Sequence, residues 1–122
     1  MTTRQESGQT AENLARRHLE LHGLRLVTQN WHCRRGELDL VMLDGNCLVF
    51  IEVRYRQHQA WGGALESIDG RKRAKLILAA QQFLQSEAKW GTLACRFDVV
   101  AIEPAESGKP KKLNWVKNAF DC

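Results

Sequence analysis

Charged side chains interrupt two apolar stretches in the middle of the chain. Glu37 and Asp39 lie in the first stretch, and Glu52 and Arg54 lie in the second. A half-buried charge is costly unless it pairs with an opposite charge or binds a cation. The pattern therefore predicts either a set of ion pairs or a cation site.

The two stretches predict a β-hairpin that carries these charges. Glu37–Leu43 and Cys47–Arg56 are typical of strands, and Asp44-Gly45 is a strong turn signal between them. A two-residue turn pairs position 43 with position 46 and makes Asp39 and Glu52 diagonal neighbours on one face, about 5.5–8 Å apart. A four-residue loop would place them directly opposite, whereas a three-residue loop would put them on opposite faces.

Two cations are expected on the same face as these carboxylates. Arg54 and Arg56 follow Glu52 by two and four residues, and side chains alternate along a strand. Opposing carboxylates repel, and Mg²⁺, which prefers oxygen ligands, would reverse that penalty. The ion pairs Glu37–Arg54 and Glu52–Arg56 on a solvated face are the alternative. Parity alone slightly favours the ion pairs, because surface ion pairs are common.

The remaining elements follow from hydrophobic spacing and from helix start and stop signals. They predict the order αβββαββ, which is an α/β or α+β domain with a central sheet flanked by helices. We expect one domain over residues 1–122, with a disordered tail at 1–8. Outside the hairpin the predicted elements are a helix from Thr10 to His22, an extended segment from Leu24 to Trp31, a helix from Asp69 to before Gly91, and strands at Thr92–Ile102 and Leu113–Val116.

Composition bounds the class of protein. The chain has 122 residues, of which 43% are hydrophobic and 26% are charged, with a formal net charge of +4. These values exclude collagen-like and fully disordered chains, and no apolar run approaches the roughly 20 residues of a membrane span. The polar first ten residues contain no secretory signal, so we expect a cytoplasmic protein. The positive charge makes nucleic acid a candidate partner.

Other residues that could do chemistry are expected to be structural. The four cysteines form no C-x-x-C pair and are expected to be reduced thiols. His18 and His22 could share a helix face, but no third metal ligand accompanies them. Arg96 and Asp98 are expected to form a structural pair on a late strand.

The ordered set of motifs resembles the YraN-like family. That family is similar to the archaeal Holliday-junction resolvases and has the restriction-endonuclease-like fold. The resemblance covers roughly residues 8 to 120 and rests on Gly36-Glu-Leu-Asp-Leu40, Phe50-Ile-Glu-Val-Arg-Tyr-Arg56, Ala11-Glu-Asn-Leu-Ala15, Gly23, Asn30, Lys72 and Arg96-Phe-Asp-Val-Val100.

The resemblance implies roles for four residues. Asp39 and Glu52 match the two acids that hold Mg²⁺, or Mn²⁺ in its place, against a scissile phosphate. Glu12 matches an acid contributed by the first helix of the resolvases. Arg54 stands where nucleases of this fold have a lysine, and because arginine stays protonated it cannot serve as a base. It can still clamp a phosphate oxygen.

Basic residues predict a nucleic-acid interface, in which DNA is the expected partner. A helix N-terminus disfavours cations, so the basic run at the second helix indicates phosphate contacts. We expect these contacts from Arg34, Arg35, Arg56, Arg71, Lys72, Arg73 and Lys75. Two functions follow: a Mg²⁺-dependent endonuclease for structured or branched DNA, or a non-catalytic nucleic-acid-binding module with a nuclease fold. An accessory protein that docks on a DNA repair or recombination partner is a third, and a homodimer would suit a symmetric junction.

Overall fold

The computed structural model describes residues 4–55, 70–103 and 112–120, with side chains from residue 10 onward. Within these ranges the predicted order αβββαββ is confirmed, with one short 3₁₀ helix added at Ala88–Trp90. The elements are α1 (Arg4–Leu21), β1 (Arg25–Cys33), β2 (Gly36–Asp44), β3 (Cys47–Tyr55), α2 (Gly70–Ser86), β4 (Ala94–Glu103) and β5 (Lys112–Phe120).

The five strands form one mixed sheet in the order β1-β2-β3-β4-β5. β3 and β4 run parallel, whereas the other neighbouring pairs run antiparallel. A parallel pair needs a crossover connection, and α2 lies between β3 and β4 in the chain. The predicted mixed sheet flanked by helices is therefore confirmed, in an α+β arrangement.

Each face of the sheet is covered by one helix. Along β3, Leu48 and Phe50 pack against α2, and Val49 and Ile51 pack on the α1 side. Strands buried on both faces read as continuous apolar runs, which explains why the β3 segment showed little polar alternation. The charges at the end of β3 stand out against this background.

The first helix is longer than the sequence predicts. It begins at Arg4 where the sequence predicts Thr10, so it includes residues 4–8 of the segment predicted to be a disordered tail. Its predicted apolar face is confirmed, because Ala11, Ala15 and Leu19 are buried. The predicted cap Asp69 of α2 lies outside the described residues. No helix in the described part of the chain has the length and apolarity needed to cross a membrane.

The hairpin turn lies one residue later than predicted. Asp44 pairs with Cys47, so the loop is Gly45-Asn46, and the expected pairing of position 43 with position 46 is wrong. Gly45 has a φ of +60°, which suits a glycine at the first loop position of a hairpin. Asp44 stays in the strand, where its carboxylate lies 2.9 Å from Arg96 Nη2. The pairing shifts by an even number of residues, so the faces predicted for Asp39 and Glu52 are unchanged.

Candidate metal centre and nucleic-acid interface

The candidate site lies where β2 and β3 separate. Their ladder of paired residues runs from Asp44–Cys47 to Leu40–Ile51. Beyond it, β2 continues along β1 and β3 continues along β4. Extending the register by one pair places Asp39 opposite Glu52. We call this point the fork.

A side chain replaces a strand partner at the fork. The backbone N–H of Val53 donates a hydrogen bond to Asp39 Oδ2 at 2.9 Å. This bond fixes one carboxylate oxygen of Asp39 against β3. The sequence predicts the two acids on one face. It predicts them directly opposite each other only for a four-residue loop; the structure reaches the same pairing with the two-residue loop Gly45-Asn46, which lies one residue later than predicted.

Asp39 and Glu52 interact directly. Glu52 is only 8% exposed, and the two carboxyl groups share a hydrogen bond. Burial and then the negative charge of Glu52 raise the pKa of Asp39 to about 8, although the Val53 N–H opposes this shift. Two neighbouring carboxylates that cannot both ionise cheaply hold a proton between them near neutral pH. A cation at this position would replace that proton.

Glu12 adds a third carboxylate from α1. Burial raises its pKa, hydrogen bonds to the side chains of Asn30 and Gln29 lower it, and the charges of Glu37 and Glu52 raise it further. Its Oε2 atom is buried and has no hydrogen-bond partner among the described residues. A buried carboxylate oxygen without a partner is costly. This atom is free to accept from a water molecule or to face a cation.

Two cations approach Glu52 from different elements. Lys72 Nζ lies 3.1 Å from Glu52 Oε1, and Arg54 Nη1 lies 3.6 Å from the same oxygen. Sequence reasoning placed Lys72 at a phosphate contact and missed its contact with Glu52. A signal was present: Lys72 lies one turn before the buried Leu76, so helical spacing turns it toward the sheet.

A cavity of about 170 Å³ opens beside these groups, between the start of β2 and α2. It is lined by Gly36, Glu37, Glu52, Lys72, Lys75 and Leu76. Gly36 allows β2 to approach α2 closely, since a Cβ atom there would lie 3.4 Å from the Lys75 carbonyl oxygen. The volume suffices for several water molecules.

The structure brings together some of the predicted nucleic-acid contacts and separates others. Arg34 and Arg35 are exposed in the turn before Gly36, so they lie next to the part of α2 that carries Lys75. Arg71 is exposed one turn before Lys75, on the same flank of α2. Arg73 is exposed on the opposite flank. Arg56 lies outside the described residues.

The ion pairs seen around Glu37 and Glu52 differ from Glu37–Arg54 and Glu52–Arg56, the pairs of the predicted alternative. Glu37 lies 3.2 Å from His32 Nδ1 on the surface, and Arg54 approaches Glu52. The second pair of that alternative involves Arg56, which the described residues do not include.

The donor set suits a hard cation that keeps several water ligands. Among residues 10–55, 70–103 and 112–120, no group of three His, Cys, Asp or Glu side chains is placed so that it could hold a metal ion. Mg²⁺ needs only one or two carboxylates beside water and phosphate. Asp39 and Glu52, with the unpartnered Glu12 Oε2 nearby, fit that requirement.

A second buried acid, Asp98, has a different environment. It is 0% exposed and accepts hydrogen bonds from Arg96, from Trp115 Nε1 at 2.9 Å and from the Asn118 backbone N–H at 2.9 Å. The predicted structural pair Arg96–Asp98 is confirmed. Cys33, Cys47 and Cys95 are free thiols, as predicted.

Comparisons with known proteins agree on one family. The model of a family described as "Uncharacterised protein family UPF0102" matches residues 11–102. A UPF0102 protein from Pseudomonas fluorescens is 68% identical over 117 residues, covering 96% of this chain and 94% of its own. UPF0102 proteins from Ectopseudomonas mendocina and Pseudomonas aeruginosa are 58% and 57% identical, each with 100% of both chains covered. The matched range includes Glu12, Asp39, Glu52 and Arg54, and the resemblance to the YraN-like family is confirmed.

Proposed function

The chain belongs to protein family UPF0102, and we propose that it is a metal-dependent endonuclease that hydrolyses phosphodiester bonds in structured or branched DNA. The observation that carries the proposal is the meeting of Asp39 and Glu52 at the fork. Two carboxylates in direct contact, with a third carboxylate oxygen buried and unpartnered nearby, form a site of concentrated negative charge. Such a site favours a divalent cation.

In this proposal Asp39 and Glu52 hold Mg²⁺, or Mn²⁺ by the same preference for oxygen ligands. When bound, the metal lowers the pKa of a coordinated water and neutralises charge on the phosphate. The Val53 N–H holds Asp39 Oδ2 at 2.9 Å, which leaves Oδ1 as the oxygen of that carboxylate most available to a ligand.

The cations around Glu52 then have distinct tasks. Arg54 stays protonated, so it binds and orients a phosphate oxygen instead of removing a proton. Lys72, at 3.1 Å from Glu52 Oε1, holds that carboxylate in place from α2. Glu12 Oε2 accepts a hydrogen bond from a water molecule at the fork, which gives the buried oxygen the partner it lacks among the described residues.

The basic residues near the cavity would bind the DNA backbone. Lys75 lines the cavity, and Arg71 is exposed on the same flank of α2. Arg34 and Arg35 are exposed just before Gly36, which also lines the cavity, and the charge of these residues suits a phosphate chain. A branched junction offers two symmetric cleavage sites, so we propose that two copies of the chain act together on it.

A non-catalytic DNA-binding module is the second candidate, and one observation favours it. Glu52 already has Lys72 and Arg54 within 3.1 and 3.6 Å, so its charge is offset without a metal. Such a protein would use the same basic residues and would hold its acids in internal ion pairs. It could also act through a DNA repair or recombination partner.

The test is metal-dependent cleavage of labelled four-way junction, flap, duplex and single-stranded DNA. Wild type is compared with Asp39→Asn and Glu52→Gln at matched concentrations of Mg²⁺, Mn²⁺ and EDTA, and binding is followed in the same samples. Glu20→Gln is the matched control, because Glu20 is a surface carboxylate paired with Arg16 on α1.

Each outcome assigns the protein to one class. Cleavage that requires metal, is lost in both site variants and persists in Glu20→Gln supports the nuclease. Salt-sensitive binding without cleavage under either metal contradicts it and leaves the binding module. Sedimentation of the protein with and without a four-way junction tests for two copies per junction.

A further inference from the structure

A second concave surface lies at the other end of α2, away from the fork. It is an open groove of about 510 Å³ between the edge strand β1 and the segment that follows α2. Its lining includes Trp31, Phe83 and Trp90 with the charged residues Arg25, Glu87 and Lys89. We call it the tryptophan groove. Neither the proposed cleavage chemistry nor the predicted basic contacts use it.

Two indole rings line the groove. Trp31 packs edge-on against Phe83, with ring centroids 5.4 Å apart. Trp90 ends the 3₁₀ helix, where its backbone N–H bonds to the Glu87 carbonyl at 3.1 Å. Both residues are partly buried, so each keeps part of its surface open to a ligand. Partly exposed aromatic rings at a groove wall are suited to stacking on a flat ligand.

The charges beside the rings favour an anionic ligand with polar edges. Lys89 Nζ lies 4.9 Å from the centre of the Trp90 ring, and Arg25 is exposed on β1. Within the described residues neither cation has a carboxylate partner in an ion pair. Glu87 is the acid of the groove, and it can accept a hydrogen bond from an imino or amino group. Aromatic rings, two cations that form no ion pair among the described residues, and one acceptor together match a nucleotide.

The groove faces the same side of the sheet as Glu52. Trp31 and Phe83 belong to the α2-side core, and α2 runs from Lys72 beside the fork to Phe83 in the groove. Eleven residues of α-helix span about 16 Å along the axis. A strand stacked as in a duplex advances about 3.4 Å per nucleotide and an unstacked strand advances further, so that separation corresponds to at most about five nucleotides. One nucleic-acid strand can therefore contact both places.

We infer that the tryptophan groove binds the bases of an unpaired nucleic-acid strand, between Trp31 and Trp90, with Arg25 and Lys89 on its phosphates. The inference rests on the proposed function for the class of ligand, and it adds that the substrate has a single-stranded portion a few nucleotides from the cleaved bond. Flaps and open junctions have such a portion, whereas a continuous duplex does not.

The test separates base stacking from phosphate binding. Tryptophan fluorescence is followed while an oligothymidylate of about ten nucleotides is added in EDTA, and the titration is repeated with an abasic oligonucleotide of equal length. We expect the thymidylate to bind more tightly and to quench fluorescence. Trp90→Leu keeps an apolar side chain at this position and should weaken thymidylate binding by about 5- to 100-fold while leaving abasic binding unchanged. Trp90→Phe should restore most of the affinity.

A matched pair of lysines controls for general charge. Lys117 lies 4.5 Å from the Trp115 ring centre on β5, in the same type of contact as Lys89 and Trp90. Lys89→Gln should weaken both oligonucleotides, whereas Lys117→Gln should weaken neither.

Failure of this inference and failure of the nuclease proposal are distinguishable. Equal affinity for the two oligonucleotides, or a Trp90→Leu variant that binds thymidylate like wild type, overturns the groove inference even if metal-dependent cleavage is found. Base-dependent binding that is lost in Trp90→Leu supports it even if cleavage is absent, because the titration contains no metal.

Discussion

Two aspartates, Asp98 and Asp39, lie in the same sheet in opposite electrostatic environments. Asp98 on β4 is fully buried and is surrounded by donors from Arg96, Trp115 and Asn118. Asp39 at the fork receives one backbone N–H and otherwise faces Glu52 and the charge of Glu12. A buried carboxylate with a full set of donors is stable as an anion. One that faces other acids needs a proton or an external cation.

The partners of a buried carboxylate decide whether it stabilises the fold or forms a candidate binding site. Asp98 connects β4 to β5, because its partners Trp115 and Asn118 lie on the neighbouring strand. Asp39 and Glu52 lie where β2 and β3 part, so their interaction adds repulsion at a point where the ladder has ended. Asp98 with its donors stabilises the fold. The Asp39–Glu52 pair destabilises it, and a bound cation would offset that loss.

The largest effect is expected from a variant that removes the charge of Asp39 at the fork. Asp39→Asn keeps an acceptor for the Val53 N–H but removes the negative charge that would hold metal. If the nuclease proposal is right, cleavage should fall by about 10²- to 10³-fold, as for loss of one preorganised electrostatic group. Single-turnover cleavage with excess enzyme measures the change, and Asp44→Asn is the control because Asp44 pairs with Arg96 away from the fork. An unchanged rate would remove Asp39 from the site.

Asp98→Asn tests the structural role of the buried aspartate on β4. This change removes the buried negative charge that accepts hydrogen bonds from Arg96, Trp115 and the Asn118 N–H and leaves Arg96 with the half-exposed Asp44, so we expect a loss of about 3 kcal/mol in the free energy of unfolding. Urea denaturation measures it as a lower midpoint with an unchanged slope. Asp44→Asn removes the half-exposed partner of Arg96 and should cost less than about 1 kcal/mol. Equal losses in the two variants would contradict the proposed ranking of the two aspartates.

The pH dependence of stability tests whether Asp39 is held protonated in the folded state. The pKa of Asp39 rises from 3.8 to about 8 on folding, so the folded state holds its proton more tightly than the unfolded state between these values. Wild-type stability should therefore fall as the pH rises from about 4 to about 8. Asp39→Asn should abolish this fall and be about 1–3 kcal/mol more stable than wild type at the upper end.

Denaturation in EDTA across that pH range measures the effect. Adding Mg²⁺ should stabilise wild type at the upper end and leave Asp39→Asn unchanged, because binding to the folded state alone raises stability. A wild-type profile that is flat over this range would show that the fork carries no excess proton affinity.

The smallest effect concerns cations around the fork. Lys75 lines the cavity, whereas Arg73 lies on the opposite flank of α2. Lys75→Gln should reduce the slope of log affinity against log salt by about one for junction DNA. Arg73→Gln should reduce it by less. Fluorescence anisotropy over a range of salt concentrations compares the two, and a larger change for Arg73 would place the DNA on the other flank.

Alternation along strands and spacing along helices predict from the sequence which face of an element each site residue occupies. The common face of Asp39 and Glu52 follows from parity, which survives any even change in loop length. The register itself did not follow: Asp44 lies in the strand and pairs with Arg96 of β4, which is far away in the sequence. Long-range pairs of this kind leave no local signal.

Other parts of the site depend on contacts between elements. The unpartnered oxygen of Glu12 depends on how Asn30, with a φ of +55°, and Gln29 meet α1. Trp31 and Trp90 are far apart in the chain and meet at one groove because α2 ends beside β1. Spacing within one element predicts faces, whereas these features require the docked positions of two elements.

The parallel pairing of β3 with β4 also sets an order of events during folding. The β2–β3 hairpin closes over a two-residue loop and forms in microseconds, whereas the β3–β4 pair must wait for the crossover through α2. Asp39 and Glu52 are therefore brought together before α2 delivers Lys72. Pulse-labelled hydrogen exchange should protect β2–β3 amides before those of β4. If the acids meet in this order, their repulsion opposes the early hairpin, and we expect the hairpin to form faster in mildly acidic solution, where one of the two carboxyl groups is protonated.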